Sequence, residues 1–229
     1  MVGVVHEYKE RKECSMLKIL FVSDYVCPYC FVAKEALKQA LEETKIEVQI
    51  TWQPLELTVE PKERVDTYHD EARKAKYQVL VEPCKKLGID MKLPPNVVPR
   101  PYTRLAFEGW YFACDKGLGE AYNDLIYRAY FVEEQDIGDM EVLVSLAERV
   151  GLDGVEFKKA LEEGIYSSVE KEAITYSREV LKVNGVPSIY INEEQISLSE
   201  YTKEEMIRIL ENQEEEFEFG MCCGIDGCN

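Results

Sequence analysis

The sequence predicts an α/β protein in which two distant stretches of chain build one sheet and an all-helical insertion separates them. Three observations carry this expectation. A short apolar run, Leu17 to Val22, leads directly into Cys27-Pro28-Tyr29-Cys30 and a helical pattern. A strict apolar/polar alternation follows at Ile46, Val48, Ile50 and Trp52. After about 120 residues of helical patterning, strand signals return at Ser188–Asn192 and Gln195–Leu198, before one last helix. Strand–helix–strand at one end and strand–strand–helix at the other together make a sheet with helices on its faces.

Each element has a local reason. Leu17–Val22 is the length of a buried strand. Pro28 suits the first turn of the helix that follows, Pro28 to Thr44, because the missing N–H is not needed there. Phe31, Ala33, Leu37, Ala40 and Leu41 give that helix an apolar face. The alternation at 46–52 predicts a half-buried strand, ended by Pro54. From Lys62 to Lys182 the chain reads helical. Val65, Tyr68, Ala72, Leu80 and Leu87 predict one helix that Pro83 kinks and Gly88 ends. A proline-rich connector, Pro94 to Pro101, follows. Thr103 is the expected cap of a helix with Leu105, Trp110, Tyr111 and Phe112. Leu125, Ile126, Ala129 and Tyr130 mark the next. Asp139 caps a fourth with Leu143 and Leu146, stopped by Gly151. Asp153 and Glu156 form a capping box for a short fifth, and a sixth spans Ser167 to Leu181. The short polar turn between the two late strands predicts a hairpin. Thr202 and Glu205 form a second capping box, opening a helix with Met206, Ile209 and Leu210. The expected organisation is an N-terminal extension (1–15), a discontinuous sheet domain (16–61 and 183–212), a helical insertion (62–182) and an acidic, cysteine-containing tail (213–229).

Composition narrows function. The 229 residues carry a net charge of −17, which argues against nucleic acid and against anionic lipid as partners. No stretch approaches the ~20 apolar residues of a membrane span. Met1 to Cys14 is polar and charged, without an apolar h-region, so a cytoplasmic protein with mostly reduced thiols is expected. Eight cysteines are too few for a disulfide scaffold of this length.

The chemistry lies in the C-x-x-C pair. At a strand-to-helix junction the first sulfur meets unpaired backbone N–H groups and the positive end of the helix dipole, which favour thiolate. Two intervening residues let the second sulfur close a disulfide, so the pair reads as a redox centre of the thioredoxin type. A zinc site is the competing reading. It needs four ligands, and the chain offers no second C-x-x-C and only His6 and His69. No metal and no cofactor are expected. Gly185-Val186-Pro187-Ser188, at the entry to the third strand, is either a simple turn or the second half of the site. His6 and His69 are expected on the surface, Glu56 on the surface in preference to a buried place near the pair, and Cys84 and Cys114 as buried small hydrophobes.

Asp24-Tyr-Val-Cys-Pro-Tyr-Cys30, the helical insertion and Gly185-Val-Pro187 together resemble the DsbA-like thioredoxin superfamily. Trp52–Leu57, Thr103–Ala106, Phe131–Glu134 leading into Asp136–Asp139, Gly151–Asp153, Phe157 and Ala160–Glu162 make the resemblance closest to its FrnE-like branch. The similarity spans about Leu17 to Leu210. It implies a thioredoxin fold interrupted by an all-helical insertion domain, and dithiol–disulfide exchange with protein or small-thiol disulfides, coupled to a redox partner such as glutathione or a thioredoxin system. It further implies Cys27 as the attacking thiolate, Cys30 as the resolving thiol, Pro187 as a cis-proline facing them, and Val186, Pro28 and Tyr29 as substrate contacts. The Pro-Tyr dipeptide lacks the histidine of DsbA, so a less oxidising pair is expected. FrnE-like proteins can also carry a C-terminal cysteine pair, here Cys223 and Cys228. Two other readings share parts of this pattern. Kappa-type glutathione transferases and isomerases keep the fold but use a serine-type site, and a thiol-rich metal-binding or redox-sensing protein would work through the cysteine tail.

Overall fold

The computed structural model describes residues 16–225. Its sheet has four strands in the order β2-β1-β3-β4, with β1 spanning Leu17–Ser23, β2 Val48–Pro54, β3 Ser188–Ile191 and β4 Glu194–Ile196. β1 runs parallel to β2, pairing Leu17 with Val48 and Ser23 with Pro54, and antiparallel to β3. Pro54 closes β2 at the end of an edge strand, where a missing N–H is tolerated. The crossover from β1 to β2 is α1, Pro28–Thr44. Lys45 ends it in the left-handed conformation, its N–H returning to the Leu41 carbonyl.

One sheet face is closed by α1 and by the last helix, α9 (Lys203–Ile225). Ala33, Leu37 and Ala40 of α1 and Met206 and Leu210 of α9 pack on Leu17, Ile19, Phe21, Ile189 and Ile191. α9 is anchored at its start. The Glu205 N–H donates to the Thr202 hydroxyl, and the Glu205 carboxylate accepts from the N–H groups of Ser199, Glu200 and Tyr201. This helix runs well beyond Asn212, after which a tail was expected to begin.

The insertion holds α2 (Glu71–Tyr77), a 3-10 turn (Gln78–Leu80), α3 (Val81–Leu87), α4 (Arg104–Asp115), α5 (Gly119–Phe131), α6 (Met140–Arg149), α7 (Gly154–Glu162) and α8 (Ser167–Thr175), which ends in a π turn (Tyr176–Val180). The single kinked helix expected between Lys62 and Leu87 is therefore corrected. Residues up to Asp70 are not helical, and Asp70 caps α2 by accepting the Arg73 N–H. Pro83 breaks nothing, because it falls in the first turn of α3, where N–H groups have no intrahelical partner. Gly88 ends α3 at φ +70°, as a left-handed cap. Asp139 and Asp153 cap α6 and α7 through their side chains. Only half of the capping box at α7 forms, because the Glu156 carboxylate takes Lys116 instead. Cys114 is exposed in the last turn of α4, not buried as expected.

The insertion does not have a core of its own. Phe31 of α1 stacks on Tyr127 and Phe131 of α5, at centroid distances of 5.4 and 5.8 Å. Tyr25, just before the C-x-x-C, meets Phe107 and Tyr127. One apolar cluster thus runs from the start of α1 through α4, α5, α6 and α7. Truncating Phe31 should therefore loosen both layers. Phe31→Ala is expected to cost about 3–5 kcal/mol of unfolding free energy, measured by chemical denaturation. A loss below about 1 kcal/mol would mean the layers do not depend on this contact.

Candidate functional site

Asp24 organises the turn that carries the cysteines. Its side chain is fully buried. Its carbonyl accepts the Cys27 N–H at 3.1 Å and the Tyr127 hydroxyl at 3.4 Å. Its carboxylate accepts the Leu57 N–H at 2.7 Å and the Val26 N–H at 3.5 Å. Burial raises the Asp24 carboxyl above the usual carboxylate range, opposed by the Leu57 N–H, the Thr103 hydroxyl and the Arg100 charge. Thr103, the expected cap of α4, makes no side-chain cap there and stands beside the Asp24 carboxyl instead.

Cys27 is the N-cap of α1 and Pro28 its first residue. The Cys27 carbonyl accepts the N–H groups of Cys30 and Phe31, at 3.1 and 3.4 Å, placing both sulfurs on the first helical turn. Cys30 is wholly buried, whereas Cys27 reaches a pocket. Burial pushes the Cys30 thiol well above its ordinary value, and the neighbouring Cys27 sulfur raises it further. Cys27 Sγ donates to the Val186 carbonyl at 3.4 Å, and the Val186–Pro187 peptide is cis. The structure thus brings Cys27, Cys30, Pro28, Tyr29, Val186 and Pro187 together from two chain segments 159 residues apart. The Tyr29 ring leans on Tyr77 and Tyr201, and its hydroxyl donates to the Lys76 carbonyl.

The pocket at Cys27 has a volume of about 310 Å³. Pro28, Tyr29, Leu57 and Val186 supply its apolar wall, and Asp70, Arg73, Lys76, Tyr77 and Arg100 its polar wall. The polar wall comes from the insertion and gave no sequence signal. Arg100 sits in the proline-rich connector, and Arg73 and Lys76 look like ordinary surface positions of a short helix. A larger cavity, about 440 Å³, lies away from the thiols between α1 and β2. Its Lys34 is paired with Asp124 and with Glu120. The pair Cys223 and Cys228 falls outside the described side chains.

Glu56 is buried, correcting its expected surface position, because the loop after β2 turns it beneath α8 and the π turn. Arg178 holds its carbonyl at 2.6 Å. Burial, then the adjacent Glu170 charge and Asp24, raise its carboxyl to about 8. The folded protein therefore holds a proton on Glu56 that the unfolded chain releases above about pH 4.5. Stability supplied by that proton is complete at low pH and is lost as pH rises toward 8. Relative to Glu56→Gln, the wild type is expected to lose unfolding free energy between about pH 5 and pH 8 in urea titrations. Parallel pH profiles would contradict this.

Comparison with known proteins agrees with the geometry. The family described as DSBA-like thioredoxin domain matches residues 18–206. YwbO, an uncharacterized protein of Bacillus subtilis, is 41% identical over 172 residues, covering 75% of this chain and 84% of that one. A probable DsbA oxidoreductase of Streptomyces coelicolor superposes with a TM-score of 0.71 at 21% identity, covering 87% of this chain and 91% of its own. The cytosolic disulfide reductase DsbM of Pseudomonas aeruginosa gives 0.65 at 18% identity, covering 87% and 99%. A 2-hydroxychromene-2-carboxylate isomerase shares the fold too, at 0.66 and 16% identity, covering 90% and 97%.

Proposed function

The chain belongs to the DSBA-like thioredoxin family, and we propose that it is a thiol–disulfide oxidoreductase working through Cys27 and Cys30, within the FrnE-like branch. The observation that carries this reading is the asymmetry of the two thiols. Cys27, itself only 4% exposed, lines the pocket at a helix N-terminus, and Cys30 is fully buried and lines no part of it.

The chemistry follows from that asymmetry. The Cys27 thiolate attacks one sulfur of a substrate disulfide. A mixed disulfide forms, and the first substrate thiolate leaves. Burial keeps Cys30 protonated and out of the first attack. Its proton then passes to the departing substrate sulfur as Cys30 attacks Cys27. The Cys27–Cys30 disulfide forms, the second substrate thiol is released, and two electrons have moved from the pair to the substrate. Val186, Pro28 and Tyr29 form the wall that the substrate disulfide passes, and Pro187 puts no N–H and no charge beside the sulfurs. Protein disulfides and small-thiol disulfides are the substrate classes, with glutathione or a thioredoxin system closing the cycle. The described helices include none long and apolar enough to cross a membrane. The reading places the activity in the cytoplasm, as named for the DsbM relative.

The isomerase reading shares the fold. Two thiols at the helix N-terminus, in place of a serine-type site, favour exchange.

Trapping tests the mechanism. Cys30→Ser is expected to accumulate a stable mixed disulfide at Cys27 when incubated with oxidised glutathione, seen by intact mass. Cys27→Ser is expected to lose the exchange rate by roughly a thousandfold or more. An adduct that forms equally well in Cys27→Ser would overturn the assignment.

A further inference from the structure

The pocket at Cys27 is cationic although the protein is acidic. On a protein of net charge −17, three cations, Arg73, Lys76 and Arg100, stand on its wall beside one acid, Asp70. Asp70 pairs with Arg73 at 3.3 Å and caps α2, so those two charges offset each other and Lys76 and Arg100 carry the net positive charge of the wall.

Arg100 is the informative residue. Its side chain is 5% exposed. Nη2 donates to Thr58 Oγ1 at 2.7 Å, while Nε has no partner. No carboxylate among the described residues lies within ion-pair distance of this guanidinium. Asp24 feels its charge, but the Asp24 oxygens are occupied by Leu57 and Val26 N–H groups. A buried guanidinium whose counter-charge, Asp24, stands beyond ion-pair distance is only partly compensated, and the remaining cost falls when an anion docks beside it. A guanidinium also matches a carboxylate in shape as well as charge. Lys76, exposed and without an ion-pair partner among the described residues, adds a second cation at the rim.

Resting on the oxidoreductase reading, we propose that this wall selects a carboxylate-bearing small disulfide: Arg100, with Arg73 and Lys76, receives the carboxylate while Cys27 attacks the sulfur. At about 310 Å³ the pocket suits a small molecule rather than a folded chain. The step is the exchange already written. The Cys27–substrate S–S bond forms as the substrate's own S–S bond breaks, the carboxylated thiolate leaves, and Cys30 completes the two-electron transfer.

Two paired probes separate this selectivity from the exchange reading itself. The first pair is iodoacetate and iodoacetamide, which alkylate the same thiolate with loss of iodide and differ in charge. Their rate ratio at Cys27, read by peptide mass, is expected to favour iodoacetate by about tenfold relative to the ratio for free mercaptoethanol. The ratio should fall toward the free-thiol value in Arg100→Gln, and in Arg73→Gln/Lys76→Gln, at a half-buried and an exposed position of the short helix α2. It should also fall in about 0.5 M salt, where the Debye length drops to only ~4 Å. A wild-type ratio no higher than that of the free thiol, or one that both variants retain, overturns the proposal. The second pair is dithiodipropionate and hydroxyethyl disulfide, offered to the reduced protein. Faster oxidation of the Cys27–Cys30 pair by the dianionic disulfide supports the proposal. Equal rates overturn it and leave exchange standing. If neither disulfide oxidises the pair, the exchange reading falls, and the alkylation ratio still reports whether the anion wall exists.

Discussion

Everything at this site hangs on one buried residue, Asp24. Its carbonyl fixes the Cys27 N–H, and its carboxylate fixes the N–H groups of Leu57 and Val26. Through Tyr127, Thr103 and Arg100 it also reaches the insertion. The turn carrying the cysteines, the loop leaving β2 and the helical layer therefore converge on a single residue. A fully buried carboxyl is costly unless its oxygens are satisfied. Here the two N–H groups satisfy them, and the result is a first sulfur held at the open end of α1.

The same convergence explains why the helical layer cannot be treated as an accessory. Its aromatic residues Phe107, Tyr127 and Phe131 pack on Tyr25 and Phe31, the residues that flank the C-x-x-C. Pro28 and Tyr29 face the pocket instead, and the insertion supplies that pocket's polar wall. One layer brings the nucleophile. The other decides what reaches it, and a shared apolar core holds the two in register.

Sequence patterning made the sheet and α1 legible because their constraints are local. An apolar run, a C-x-x-C with proline at the first helical position and a strict alternation each leave a short-range signature, and α1 spans the predicted Pro28–Thr44. The thioredoxin-like architecture with its helical insertion follows from the order of those signatures. The stretch from Lys62 to Gly88 misled for a physical reason. Apolar residues at helical spacing there serve a loop, a capped short helix and a 3-10 turn, and Pro83 is harmless only because a new helix starts at Val81. Glu56 was misplaced because a carboxylate reads as solvated until the fold buries it and sets a neighbour such as Glu170 beside it, which together keep it protonated. Arg100 was unreadable because its meaning comes from what surrounds it, in a connector whose prolines dominate the local pattern. The identity of the cysteines lay in sequence, whereas the selectivity of their pocket lay in tertiary contacts.

Cys27 and Cys30 are expected to cycle between dithiol and disulfide. The most direct measurement is the midpoint of that pair in glutathione buffers, read by mass shift of alkylated thiols. A reversible Cys27–Cys30 disulfide is expected, with a midpoint more reducing than the roughly −120 mV of DsbA, because the Pro-Tyr dipeptide lacks DsbA's histidine. Failure of the disulfide to form at any poise would contradict the account.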